Sequence, residues 1–121
     1  MKVVTPVVFF TSLLLSSFSY SATKITSKEA PFYEGKDVIA CGTLKEVSRF
    51  KRGLYLNMDE PFPKQSLTLV LWEDDLAEFK QEHGSIEQLI NHEVCGKGTV
   101  TEYRGRSQIS LYNAFSLKVG H

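Results

Sequence analysis

Lys36-Asp37-Val38-Ile39-Ala40-Cys41-Gly42-Thr43 decides how this chain is read, because an echo of it returns further along as His92-Glu93-Val94-Cys95-Gly96-Lys97-Gly98-Thr99. In the first copy, extended to residue 47, Val38, Ala40, Gly42 and Leu44 fall on one side, and Ile39, Cys41, Thr43 and Lys45 on the other. A period of two with one apolar side is a half-buried strand. In the second copy Val94, Gly96, Gly98 and Val100 stay in phase within residues 93–103. Glycines inside both strands mark bends, which a small barrel needs where its sheet curves. Each strand carries a cysteine off its apolar side, so a cross-strand disulfide is open wherever the two strands adjoin, subject to their register.

Outward from this pair the alternation recurs. Residues 54–59 place Leu54, Leu56 and Met58 inward, and residues 66–72 set Leu67, Leu69 and Leu71 against Thr68, Val70 and Trp72. Between them Pro61 and Pro63 break the pattern, since proline has no amide to give a central strand. Helical signals are confined to residues 75–90. Asp75-Leu76-Ala77-Glu78 and Ser85-Ile86-Glu87-Gln88 fit capping patterns, with His83-Gly84 dividing two short pieces. Arg104-Gly105-Arg106 is a tight turn, and residues 108–115 form a fifth strand. Three strands, a helical insert and two strands are the order of an all-β, five-stranded Greek-key barrel, the OB-fold, with a short helical insert between strands 3 and 4. The domain so defined spans residues 36–116, after a polar lead-in arm at 23–35 and before a tail at 117–121.

The N-terminus carries a different signal. Lys2 is followed by a mostly apolar run to Leu15 and a small-residue run, Ser16-Ser17-Phe18-Ser19-Tyr20-Ser21-Ala22. That is the layout of a signal peptide over residues 1–22. The run is shorter than the roughly 20 apolar residues a bilayer needs. The expected location is therefore periplasmic or secreted, with no stable membrane span after cleavage. Loss of residues 1–22 removes only Lys2 from the charged set, leaving 13 basic and 14 acidic side chains. Such a balance gives no global attraction to polyanions, so any nucleic-acid binding must rest on local charge. Cys41 and Cys95 are the two cysteines of the chain. In an oxidising compartment they are expected to pair, the alternative being two buried thiols; two lone cysteines do not make a zinc site.

The runs Gly53-Leu54-Tyr55-Leu56-Asn57-Met58, Pro61-Phe62-Pro63-Lys64-Gln65-Ser66-Leu67-Thr68-Leu69-Val70-Leu71-Trp72 and Tyr103-Arg104-Gly105-Arg106-Ser107-Gln108-Ile109 resemble bacterial exported single-domain OB-fold proteins classed as nucleic-acid binding. The resemblance covers about residues 36–115 and implies the fold and that binding role. The chain lacks the Asp-x-Thr-Gly-type second hairpin of the stress-linked periplasmic group, a distant relative by architecture.

An OB-fold presents ligand on its second and third strands, between the loops joining strands 1–2 and 4–5. Here those loops are Arg49-Phe50-Lys51-Arg52 and Arg104-Gly105-Arg106. The candidate nucleic-acid-binding residues are Arg49, Phe50, Lys51, Arg52, Tyr55, Trp72, Arg104 and Arg106: cations for phosphates and aromatic rings for bases. Phe62, Tyr103 and Tyr112 lie beside that set. Residues 73–93 hold seven acidic side chains and one lysine, so basic loops are expected to stand opposite an acidic helical region. His83, His92 and His121 have no nucleophile or ligand partners at a recognised spacing. No catalytic residues, metal site or cofactors are expected. The expected function is an exported binding module for single-stranded nucleic acid, weak and sequence-tolerant. The alternative is a periplasmic protein- or small-ligand-binding domain with an envelope-stress or immunity-type role and an envelope protein as partner.

Overall fold

A computed structural model describes residues 22–120. The signal-peptide pattern thus lies, but for Ala22, outside the described residues. Among these residues the strands are β1 (Thr23–Thr26), β2 (Asp37–Phe50), β3 (Gly53–Met58), β4 (Leu67–Trp72), β5 (Glu93–Tyr103), β6 (Arg106–Leu111) and β7 (Leu117–Val119), with an α-helix, α1 (Leu76–His83), between β4 and β5.

The barrel closes through β2–β3–β4–β6–β5 and back to β2, with β4 and β6 parallel and its other pairs antiparallel. This is the five-stranded OB-fold, with its helix in the expected place. One strand makes closure possible. The first half of β2 pairs with β5, from Asp37↔Thr99 to Thr43↔Glu93, and the second half with β3, from Leu44↔Met58 to Phe50↔Gly53. The register slips between Leu44 and Glu46. A bulge of this kind bends a strand and increases its twist, so β2 turns the corner between two walls.

Alternation then fills the interior. Val38, Ala40, Leu44, Leu56, Met58, Leu67, Leu69, Leu71, Val94, Val100, Ile109 and Leu111 belong to one buried cluster. Burying each larger aliphatic side chain contributes about 1.5–3 kcal/mol. Phe79 from α1 and Ile86 and Leu89 from the following 3-10 turn (Ile86–Leu89) join that cluster. The insert is pinned to the bend of β2, where the Asn91 amide donates to the Leu44 carbonyl (2.6 Å) and the Leu44 amide to that of His92 (3.0 Å).

The in-phase echo becomes a covalent seam. Cys41 stands opposite Cys95 in the β2–β5 register, and the two form a disulfide. The alternative of two free thiols is set aside.

The chain ends differ from the sequence expectation. The lead-in at 23–35 contains β1, which pairs in parallel with β2 from Thr23↔Val38 to Thr26↔Cys41, and a 3-10 turn (Ser27–Tyr33). The tail holds β7, paired with β5 from Val94↔Val119 to Gly96↔Leu117. The fifth expected strand stops at Leu111, because Asn113 caps a 3-10 turn (Ala114–Ser116) by accepting from the Phe115 amide at 2.9 Å. That turn is tied to α1, with Glu78 accepting from the Ala114 amide (3.1 Å) and His83 Nε2 bonded to its carbonyl (2.7 Å). No helix among the described residues is long and apolar enough to cross a membrane.

Candidate nucleic-acid interface

Leu54, Leu56 and Met58 point into the barrel, so the side chains between them point out. Tyr55 lies opposite Val70 and Asn57 opposite Thr68, with Gln108 of β6 beside Thr68. Asn57, Thr68 and Val70 are all buried although they lie on the outer side of the strands. They form the floor beneath larger groups.

The two basic loops frame this face from opposite ends. The β2–β3 turn leads into Gly53, which pairs with Trp72 at the end of β4. The β5–β6 turn leads into Arg106, two residues before Gln108, which pairs with Thr68 near the start of β4. Six residues of β4 therefore separate the loops, about 20 Å at about 3.3 Å per residue. The turn at 104–105 has φ of 54° at Arg104 and 81° at Gly105. Positive φ at both central positions is the mark of a type I′ hairpin and suits the glycine.

At the β2–β3 end the aromatic rings pack on one another. Phe50 stacks on Tyr55 with centroids 4.1 Å apart and planes 8° apart, and meets Trp72 edge-on at 5.9 Å. Arg49 pairs with Glu73 at 3.3 Å, both side chains being well exposed. Lys51, Arg52, Trp72, Glu73 and Asp74 share one shallow hollow. The expected separation of basic loops from acidic residues is thus absent here, for a connectional reason. The chain leaves β4 at Trp72, beside Gly53, so Glu73 and Asp74 land against the basic turn, with the Glu73 amide bonded to the Arg52 carbonyl at 2.7 Å.

The β5–β6 end differs. Arg106 lies over the Phe62 ring with its Cζ 4.7 Å from the centroid, and Arg104 over Tyr103 at 5.2 Å. Phe62 and Tyr103 are 59% and 52% exposed, so their rings remain available to a ligand. With Tyr55 they line a cleft of about 190 Å³, floored by Asn57, Thr68 and Gln65. Past the hairpin a wider groove of about 650 Å³ continues along Gln65, Arg104 and Arg106 to Lys28 of the N-terminal segment, with Glu34 and Glu102 also on its walls.

The eight sequence candidates therefore divide. Tyr55, Arg104 and Arg106 share the aromatic cleft. Lys51, Arg52 and Trp72 share the other hollow, Arg49 is engaged by Glu73, and Phe50 packs between Tyr55 and Trp72.

Sequence reasoning left out the polar floor. Asn57 Nδ2 donates to Glu46 Oε1 at 2.8 Å, the Phe62 amide to the same oxygen at 2.9 Å, Thr68 Oγ1 to Asn57 Oδ1 at 2.8 Å, and Gln65 Nε2 to Thr68 Oγ1 at 3.1 Å. The Phe62 amide and the Asn57 side chain hold the Glu46 carboxyl below its ordinary value. Asn57 and Thr68 were visible as polar residues in phase on adjoining strands. Glu46 reaches them only because of the bulge, and Gln65 comes from a loop, so neither carried a periodic signal. Among the described residues no group of three or more His, Cys, Asp or Glu side chains could hold a metal ion.

Comparison with known proteins bears on the fold alone. No family model matches the chain, and no match is found among curated proteins. Solved structures do match. A Leishmania major Friedlin protein assigned as an aspartyl-tRNA synthetase superposes with a TM-score of 0.58 at 14% identity, over 90% of this chain and 22% of that one. The S. pombe Stn1–Ten1 complex gives 0.52 at 16% identity, over 70% of this chain and 58% of the other. OBody AM1L10, bound to hen egg-white lysozyme, gives 0.58 at 15% identity, over 85% and 98%. The chain thus spans under two thirds of the first two, and what it shares with all three is the OB-fold.

Proposed function

We propose that this chain is a binding module, not an enzyme, that holds single-stranded nucleic acid in the cleft at the β5–β6 hairpin. One observation carries the reading: Tyr55, Phe62 and Tyr103 share a cleft with Arg104 and Arg106. Phe62 and Tyr103, the exposed rings of the three, can stack on bases whatever their identity, at about 1–3 kcal/mol per base, and guanidinium groups meet the phosphates between them. The aspartyl-tRNA synthetase name among the structural neighbours agrees with this use of the fold, though fold alone does not assign function. Export to an oxidising compartment, periplasmic or secreted, belongs to the same proposal; the residue 1–22 pattern and the Cys41–Cys95 disulfide support it.

The test is fluorescence anisotropy of a labelled single-stranded oligonucleotide titrated across salt concentration. Affinity is expected to fall with salt, by a slope of about 0.7 per neutralised phosphate. Arg104→Ala and Arg106→Ala should each weaken binding and flatten that slope. Arg49→Ala should do little, because Glu73 already neutralises Arg49. Absence of binding at low salt would sink the proposal.

A second reading, a protein-binding face, has one feature in its favour. Lys51 and Arg52 beside Glu73 and Asp74 make a mixed-charge surface better suited to a polypeptide than to a polyanion, and the OBody neighbour is bound to a protein. Retained affinity for an envelope protein after Arg104→Ala and Arg106→Ala, without oligonucleotide binding, would favour it.

A further inference from the structure

The floor of the aromatic cleft is a hydrogen-bond chain whose direction is set from one end. Glu46, ionised, can only accept. Its Oε1 takes protons from Asn57 Nδ2 and from the Phe62 amide. Asn57 must therefore turn its own oxygen the other way, where Oδ1 accepts from the Thr68 hydroxyl. With its single proton committed there, Thr68 Oγ1 is left to accept, and it does so from Gln65 Nε2 at 3.1 Å. Gln65 then has one orientation. Reversing its amide would set Oε1 against an oxygen with no proton to give. A glutamine at a surface ordinarily turns either end of its amide as required; this one keeps its Nε2 end toward Thr68, so the place of its acceptor is fixed.

That acceptor, Gln65 Oε1, is buried and has no hydrogen-bond partner among the described residues. Gln65 lines both the aromatic cleft and the groove that continues it. Its exposed neighbours in the cleft, Phe62, Tyr103, Arg104 and Arg106, lie in loops or at strand ends. A planar group meets Gln65 Oε1 only where this rim of loop and strand-end side chains moves aside. An acceptor shielded from water has most to gain from a ligand that brings a donor.

We infer that Gln65 Oε1 is the base-reading group of this cleft, favouring bases with an exocyclic amine, above all cytosine, over thymine and uracil, with Glu46 as its positioning residue. The inference rests on the nucleic-acid reading of the cleft. Thymine and uracil set their one imino N–H between two carbonyls, which would crowd a fixed acceptor with like charge. Cytosine presents its amine at the end of its edge, where a single acceptor can meet it. One subsite with this bias is compatible with sequence-tolerant stacking at Phe62 and Tyr103.

The experiment compares labelled oligo(dC) and oligo(dT) of equal length on the full chain at low salt. Oligo(dC) is expected to bind about threefold to tenfold more tightly, the range for one net hydrogen bond. Gln65→Met should close the gap between oligo(dC) and oligo(dT). Glu46→Gln, which can both donate and accept and so frees the chain to run either way, should narrow the gap without abolishing binding. Equal affinities in the parent protein, or tighter oligo(dT), would overturn the inference and leave the nucleic-acid reading standing. No binding of either oligonucleotide would overturn both. A gap that survives Gln65→Met would also overturn it. The parent comparison needs no variant, so a misfolded substitution cannot obscure the outcome.

Discussion

Asp59 shows how much a single side chain settles at the residue scale. It follows β3 with φ at 70°, a left-handed conformation that aspartate tolerates better than most residues. Its carboxylate accepts from the hydroxyls of Ser27 and Ser66 and from the Thr43 amide. The N-terminal segment is thereby clasped to the barrel at the bend of β2. Burial works to raise this carboxyl, but the hydroxyls of Ser27 and Ser66, the Thr43 amide and the charge of Lys28 outweigh it and leave it below its ordinary value of 3.8. A carboxyl lowered by folding favours the fold while ionised, so its contribution is complete at neutral pH. It is lost as pH falls below 3.8 toward the folded value. Melting temperatures followed from about pH 7 to about pH 2 should therefore drop at the acid end, and Asp59→Asn should flatten that drop while lowering stability at neutral pH. An acid limb unchanged by the substitution would remove Asp59 from the account. In the sequence Asp59 reads only as the last residue of an alternating run, because its partners Ser27 and Thr43 are brought to it by pairings far along the chain.

At the scale of elements, the turn between β2 and β3 depends on Gly53. A Cβ there would stand 2.0 Å from the Leu71 carbonyl oxygen, a backbone atom held in the β3–β4 pairing. Gly53→Ala is expected to cost about 2 kcal/mol or more, since neither backbone can yield without losing the register. A urea midpoint within error of the parent's would contradict that. The five barrel strands were legible because each alternates over several residues against one interior. β1 and β7 were not, since Thr23–Thr26 and Leu117–Val119 are too short for a period of two to stand out, and most of their side chains are exposed. The bulge in β2 went unread as well: Leu44 and Val47 stand three apart, which breaks the period of two, but the break does not by itself say which neighbour Glu46 meets. That bulge is what brings Glu46 beneath Asn57, so the polar floor of the cleft could not be read in advance.

For the molecule as a whole, closure rests on the β2–β5 seam. The Cys41–Cys95 bond spans 54 residues of chain, for which loop-closure entropy alone gives about 4 kcal/mol. Replacing both cysteines with serine should lower the unfolding free energy by about that amount in urea. An unchanged midpoint would place the strength of the seam in its backbone pairing. The relation between the two basic loops is also a property of the whole. Their positions at opposite ends of the face follow from antiparallel β3–β4 and parallel β4–β6 connectivity. The charge that reaches each end does not. Only the folded path shows Glu73 and Asp74 arriving beside Lys51 and Arg52, while Arg104 and Arg106 stay beside open rings.

The same circuit of strands has a consequence for change over time. Going round the barrel, the disulfide seam between β2 and β5 is separated from β4 by one strand on either side. The tie that holds the cylinder shut and the strand that floors the cleft therefore occupy opposite walls. Outward residues such as Tyr55 and Gln108 can be exchanged for others without loosening the lock or disturbing the packed interior. Such a scaffold can acquire a new ligand by drift at one wall while the other keeps it folded.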